Sequence, residues 1–152
     1  MAGGIIEAAE GDLISAEDSF LSRFEGNPPA AESQIHALEV AEALKLPDDY
    51  VEFLKKRNGG SGFVGESFVR LFPVETVLQE NSEFRKARYA PGALFIGSDG
   101  GEELFAYDTR KLPMRIVLIH RTGAGWDGAV PLGGNLSEFF RKLFIGDLYS
   151  GL

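Results

Sequence analysis

The hydrophobic period of this chain changes at Asn58-Gly59-Gly60 from helical to strand-like, until a last helix near the end, and that change limits the fold more than any other feature. Upstream, apolar residues recur at helical spacing; downstream, they gather in short runs of strand length. Ser15 followed by Asp18 resembles a capping box, and Phe20, Leu21 and Phe24 mark one face of a short helix that Gly26-Asn27-Pro28-Pro29 ends. From Ser33, the residues Ala37, Val40, Ala41 and Leu44 fall at i, i+3, i+4 and i+7. This predicts an amphipathic helix buried along that stripe, with Leu38 widening it and Glu39 and Glu42 left mostly outside. The following helix carries agreeing signals at both ends. Pro47 suits its first position, Asp48 and Asp49 sit at the positive end of its dipole, and Lys55, Lys56 and Arg57 crowd the other end. Tyr50, Phe53 and Leu54 form its buried face, with Val51 at the margin.

Past residue 60, Phe63-Val64 and Phe68 to Phe72 read as short strands, and Pro73 to Gln79 as a brief helix or turn. Leu94 to Ile96 and Leu104 to Tyr107 flank the turn signal Asp99-Gly100-Gly101, which predicts a hairpin. Met114 to His120 reads as a central strand and Ala129-Val130 as a last short one. A final helix starts at the N-cap Asn135, with Glu138 three residues on, and repeats Leu136, Phe139, Phe140, Leu143 and Phe144 until Gly146. Helices, then strands, then a helix give an α+β fold. The expectation is a single domain with an antiparallel or mixed sheet of about five or six strands, N-terminal helices, and a C-terminal helix packed on the sheet.

The 152 residues suit one core. The chain has no cysteine, which excludes disulfides, thiolate metal sites and cysteine nucleophiles. The net charge of −8 is unevenly spread: residues 1–50 hold eleven Asp and Glu against Arg23 and Lys45, a net of −9, and the remainder is close to neutral. A phosphate backbone needs a cationic face, so this balance argues against direct nucleic-acid binding. A basic protein partner fits it; solvated helix faces that keep the chain in solution fit it too. The first 13 residues have neither a basic start nor a long apolar run, and no stretch reaches the roughly 18 apolar residues of a membrane span, so a cytoplasmic protein is expected.

Motifs for chemistry are sparse. His36 and His120 are isolated imidazoles without metal spacing. Gly60-Ser61-Gly62-Phe63-Val64-Gly65 matches the letters of a dinucleotide fingerprint, but it follows a helix and enters a strand, the reverse of the turn that mechanism requires. The surroundings of Ser98 lack a nucleophile elbow. Asp99, Glu102, Glu103 and Asp108 gather along one hairpin. Paired carboxylates can hold a cation or divide acid and base roles, while turns are acidic simply because aspartate caps its own backbone. Trp126, the only tryptophan, lies in the glycine loop Gly123 to Asp127; it can anchor an interface or fold back over the sheet edge.

Taken in order, Glu39, Leu46-Pro47-Asp48-Asp49-Tyr50, Phe53-Leu54 and Asn58-Gly59-Gly60 resemble the N-terminal signature of the SUKH superfamily, which includes the Smi/Knr-type regulators of fungal cell-wall synthesis. Phe95-Ile96-Gly97-Ser98-Asp99-Gly100-Gly101 with Phe105-Ala106-Tyr107-Asp108 resembles the family's glycine-turn hairpin. Gly125-Trp126 and the helix from Leu136 to Leu143 resemble its ending. The resemblance implies a SUKH-like domain over 32–146, with 1–31 as a helical extension and 147–152 as a tail. It also implies a non-enzymatic, protein-binding role. Bacterial relatives are largely immunity proteins that block a cognate toxin, often a nuclease, and fungal relatives are regulatory interaction proteins.

The leading expectation is therefore an immunity protein binding a basic toxin domain, with no cofactor and no metal. Asp99, Glu102, Glu103, Asp108 and Trp126 are its candidate partner contacts. A regulatory adaptor for a host protein is one alternative. A small carboxylate-dependent hydrolase built on Asp99, Glu102, Asp108 and His120 is another, and it requires those groups to converge.

Overall fold

In the computed structural model, the described residues are 17–82, 90–123 and 125–148. The strands are β1 (Arg23–Gly26), β2 (Gly60–Val64), β3 (Ser67–Leu71), β4 (Ala93–Ser98), β5 (Glu103–Asp108), β6 (Arg115–His120) and β7 (Val130–Gly133). The helices are α1 (Glu32–Glu42), α2 (Asp48–Lys56), α3 (Val74–Glu80) and α4 (Leu136–Ile145), with a 3-10 turn over Gly125–Gly128. All seven strands join one antiparallel sheet in the order β1-β2-β3-β4-β5-β6-β7, so each pairs with its neighbours along the chain. The class is α+β as expected, while the sheet has seven strands rather than five or six. β6 is interior but one strand from the β7 edge; the middle position belongs to β4.

The extra strand lies where a helix was expected. Residues 17–20 are helical, but the chain turns at Leu21 and runs extended from Arg23 to Gly26. The i, i+3 spacing of Leu21 and Phe24 suits a helix. It serves equally a turn followed by a strand that points Phe24 inward and Arg23 and Glu25 outward. Ser15 of the expected capping box lies outside the described residues; Asp18 pairs instead with Arg57 at 3.6 Å. β1 is possible because its partner strand is nearly bare. A Cβ on Gly60 would lie 2.3 Å from the Glu25 carbonyl oxygen, and one on Gly62 would lie 2.4 Å from that of Arg23.

α1 is rotated relative to the expected stripe. It buries Ile35 and Leu38, while Ala37, Val40 and Ala41 are exposed and Leu44 is half-buried. Burying Ile and Leu removes more apolar area from water than burying two alanines and a valine. Glu39 is half-buried and accepts the Leu46 backbone N–H at 2.8 Å, tying the helix to the loop behind it.

α2 and α4 match expectation, except that Phe144, expected on the apolar face of α4, is 39% exposed. Tyr50, Phe53 and Leu54 are buried on α2. On α4, Asn135 accepts the Glu138 N–H at 2.9 Å, and Leu136, Phe139, Phe140 and Leu143 are buried. These helices cover one face of the sheet. There Phe53 meets Phe140 at 5.9 Å between ring centroids, Phe105 meets Phe139 at 5.1 Å, and Tyr50 meets Tyr107 at 5.4 Å. A second, smaller core lies on the other face, where Ala93, Phe95, Leu104, Ala106, Val117 and Ile119 are buried with Trp126 and Ala129 packed against them. Being covered on both faces explains why β4 is buried at all six positions and reads as an unbroken apolar run. No helix among the described residues is long and apolar enough to cross a membrane.

Candidate interaction surface

The acidic turn between β4 and β5 is organised by its own carboxylate. Asp99 Oδ1 accepts the N–H of Gly101 at 2.8 Å and that of Glu103 at 3.3 Å, and the Ser98 hydroxyl accepts the Gly100 N–H at 3.1 Å. Glu102 is exposed at the tip. Glu103 faces His120 across the β5–β6 pair, with Nδ1 and Oε2 at 2.6 Å. Asp108 stands at the far end of β5, about 17 Å away along the strand at the usual rise per residue.

There Asp108 takes part in a separate group. Its two carboxylate oxygens accept Arg110 Nε at 3.0 Å and an Arg110 terminal nitrogen at 3.1 Å. These bonds hold the Asp108 carboxyl below the usual carboxylate range. The same guanidinium lies 3.6 Å above the Trp126 ring, whose Nε1 donates to the Pro91 carbonyl at 2.7 Å. Trp126 thus folds back against the second core, with one ring face under Arg110. Of the five expected contact residues, the fold brings Asp108 and Trp126 together through Arg110. It gathers Asp99, Glu102 and Glu103 at the other end of the hairpin. Asp99, Glu102, Asp108 and His120 do not converge, and no group of three or more His, Asp or Glu among the described residues could hold a metal ion. His36 is exposed on α1.

Several carboxylates of the first third are committed to the fold. Glu17 lies 3.6 Å from Lys56, Glu32 lies 3.3 Å from Lys55, and Asp18 pairs with Arg57, so the basic end of α2 collects carboxylates from two other segments. Asp49 accepts the Leu136 N–H at 2.9 Å and so caps α4. Beside that contact, Glu17, Asp49, Glu52 and Lys56 border a cleft of about 450 Å³ floored by Phe53 and Phe140.

Several contacts that hold the fold were not readable from the sequence. Asn58, 8% exposed, accepts the Val74 N–H at 2.8 Å and donates to Glu75 at 3.1 Å. Asn81, 2% exposed, accepts the Phe95 N–H and donates to the Phe95 and Val77 carbonyls, which fixes α3 to β4. On the sheet face that the helices leave open, Phe63 and Phe68 are exposed and pack edge to face at 5.6 Å, with Arg23 over Phe63.

Compared with known families, residues 29–142 match the profile described as SMI1 / KNR4 family (SUKH-1). The chain belongs to the SMI1 / KNR4 family. A comparison with curated proteins finds no match. The signature of this SMI1 / KNR4 chain is built largely from fold-holding residues: Glu39 caps Leu46, Asp49 caps α4, and Asn58 caps α3. Family membership is consistent with a Smi1/Knr4-type or immunity-protein-like domain.

Proposed function

We propose that this chain is a protein-binding module, specifically an immunity protein that binds and neutralises a toxin whose contacting region is basic. The observation that carries this reading is the family match over residues 29–142. Two further features support it. The carboxylates and imidazoles on which catalysis would rest are dispersed or tied into capping and ion-pair roles. The net charge of −8 favours encounter with a cationic partner. On this reading the 32–146 domain acts in the cytoplasm, the extension 1–31 lends β1 to its sheet, and 147–152 is a tail. Asp99, Glu102 and Glu103 are anionic contacts, and Asp108 and Trp126 form a second patch at the other end of β5. The adaptor alternative shares the chemistry and differs in its partner.

The test is binding of the protein encoded beside this gene. Association that slows steeply as salt rises is the expected result. A salt-independent rate removes the electrostatic part of the proposal, and absence of binding removes the immunity assignment.

A further inference from the structure

α1 carries apolar residues on two opposite faces, and the core uses only one of them. Ile35 and Leu38 are buried, while Ala37, Val40 and Ala41 face water, Val40 with 65% of its surface exposed. Apart from Glu32 at its first residue, the exposed positions of α1, Ser33, His36, Ala37, Val40 and Ala41, include no Asp, Glu, Lys or Arg, the residues that an outward helical face ordinarily carries. Half-buried Leu44 continues this stripe. Beyond it lies a hollow of about 400 Å³, lined by Glu42, Ala43, Leu44, Lys45, Leu112 and Met114. Leu112, at its rim, is 82% exposed. An apolar stripe ending in a pocket-sized hollow is the form of a surface that receives another chain.

We infer that this stripe and hollow seat an apolar helical segment of a partner protein whose flanks carry Lys or Arg. Ala37 and Ala41 have little bulk, so a partner backbone can approach closely, and the hollow accepts one large apolar side chain. The charge of α1 and its surroundings selects among occupants. Glu32, Glu39, Glu42 and Asp48 stand along this stretch against two bases, Lys45 beside Asp48 and Lys55 beside Glu32, which leaves it with a net of −2. A second copy would bring −8 against −8, and an anionic lipid surface would be repelled for the same reason. The inference rests on the protein-binding reading above and adds to it an apolar anchor separate from the hairpin carboxylates.

The test uses the full chain, isotopically labelled, and two synthetic amphipathic helical peptides. One has Leu and Met along one face with Lys and Arg on both flanks; its twin carries Glu in place of each base. Expected are saturable shifts of the Ala37, Val40, Ala41, Leu44 and Leu112 resonances with the basic peptide, and binding at least tenfold weaker with the twin. Val40→Lys and Leu112→Lys should each weaken the basic peptide at least tenfold while keeping a dispersed spectrum, and Phe63→Ser should change it less than twofold. Shifts confined to other residues, no shifts, or equal response to the twins would overturn the assignment. So would a dimer, seen by sedimentation, that Val40→Lys dissolves. The neighbouring gene product separates the two claims. If it binds wild type and Val40→Lys equally, this surface falls and the immunity reading stands. If it does not bind while the basic peptide still maps to α1, the reverse holds.

Discussion

Pro73 precedes α3 and has no side chain that can accept a hydrogen bond, so the buried Val74 N–H at the start of that helix depends on a distant acceptor, the Asn58 Oδ1. Asn58→Ala leaves that N–H without a partner, and a loss of about 1–3 kcal/mol in unfolding free energy is expected from urea denaturation. The group formed by Asp108, Arg110 and Trp126 gives a pH prediction with a defined sign. Because Asp108 is held below its ordinary range, mainly by hydrogen bonds from Arg110, it favours the fold while ionised in both states. That contribution is present above the unfolded value of about 3.9 and disappears as pH falls through the lower folded value. The stability gap between wild type and Asp108→Asn should therefore be widest near neutral pH and close in acid, as followed by chemical unfolding at several pH values. Arg110→Ala should also shift the emission of the sole tryptophan to longer wavelength, since it uncovers one face of Trp126. An unchanged emission maximum would contradict the stacking. Asn58 was legible in the sequence as the stop of α2. Its role as a cap for α3 was not, because the partner lies 16 residues on and no local pattern marks it.

At the scale of elements, α1 ends on Ala43 at φ 54°, a left-handed conformation in which alanine is disfavoured and glycine is at ease. Ala43→Gly should raise stability by roughly 1 kcal/mol, measured as an upward shift of the thermal midpoint. α2 and α4 were legible because caps, terminal charges and apolar spacing all agreed. α1 was legible as a helix but not in its orientation. Two stripes, Ile35-Leu38 and Ala37-Val40-Ala41-Leu44, both satisfy a 3.6 period, and only the packing of α1 against the rest of the fold chooses between them. β1 escaped notice for a related reason: four residues are too few for alternation to outweigh the apparent helical spacing of Leu21 and Phe24. The candidate contacts were legible only as chemistry. Asp99 to Glu103 and Asp108 with Trp126 belong to opposite ends of one strand, and spacing along a hairpin does not reveal which end a side chain serves.

For the whole molecule, β1 lies outside the 29–142 family match yet forms one edge of the sheet. A chain shortened to begin at residue 29 loses that strand and leaves β2, with Gly60 and Gly62, as a bare edge with few side chains to discourage pairing. It should melt at lower temperature and associate as concentration rises in size-exclusion chromatography; a monomer as stable as the full chain would show that β1 contributes little. The meander has a consequence in time as well as in space. Each strand pairs with the next one along the chain, so the sheet can zip up in the order in which it is translated, with short connections at β2–β3, β4–β5, β5–β6 and β6–β7 and longer helical ones at β1–β2 and β3–β4. α4, which follows all seven strands in the chain, supplies Phe139 and Phe140 to the aromatic core, so full burial of Phe53 and Phe105 must await its emergence.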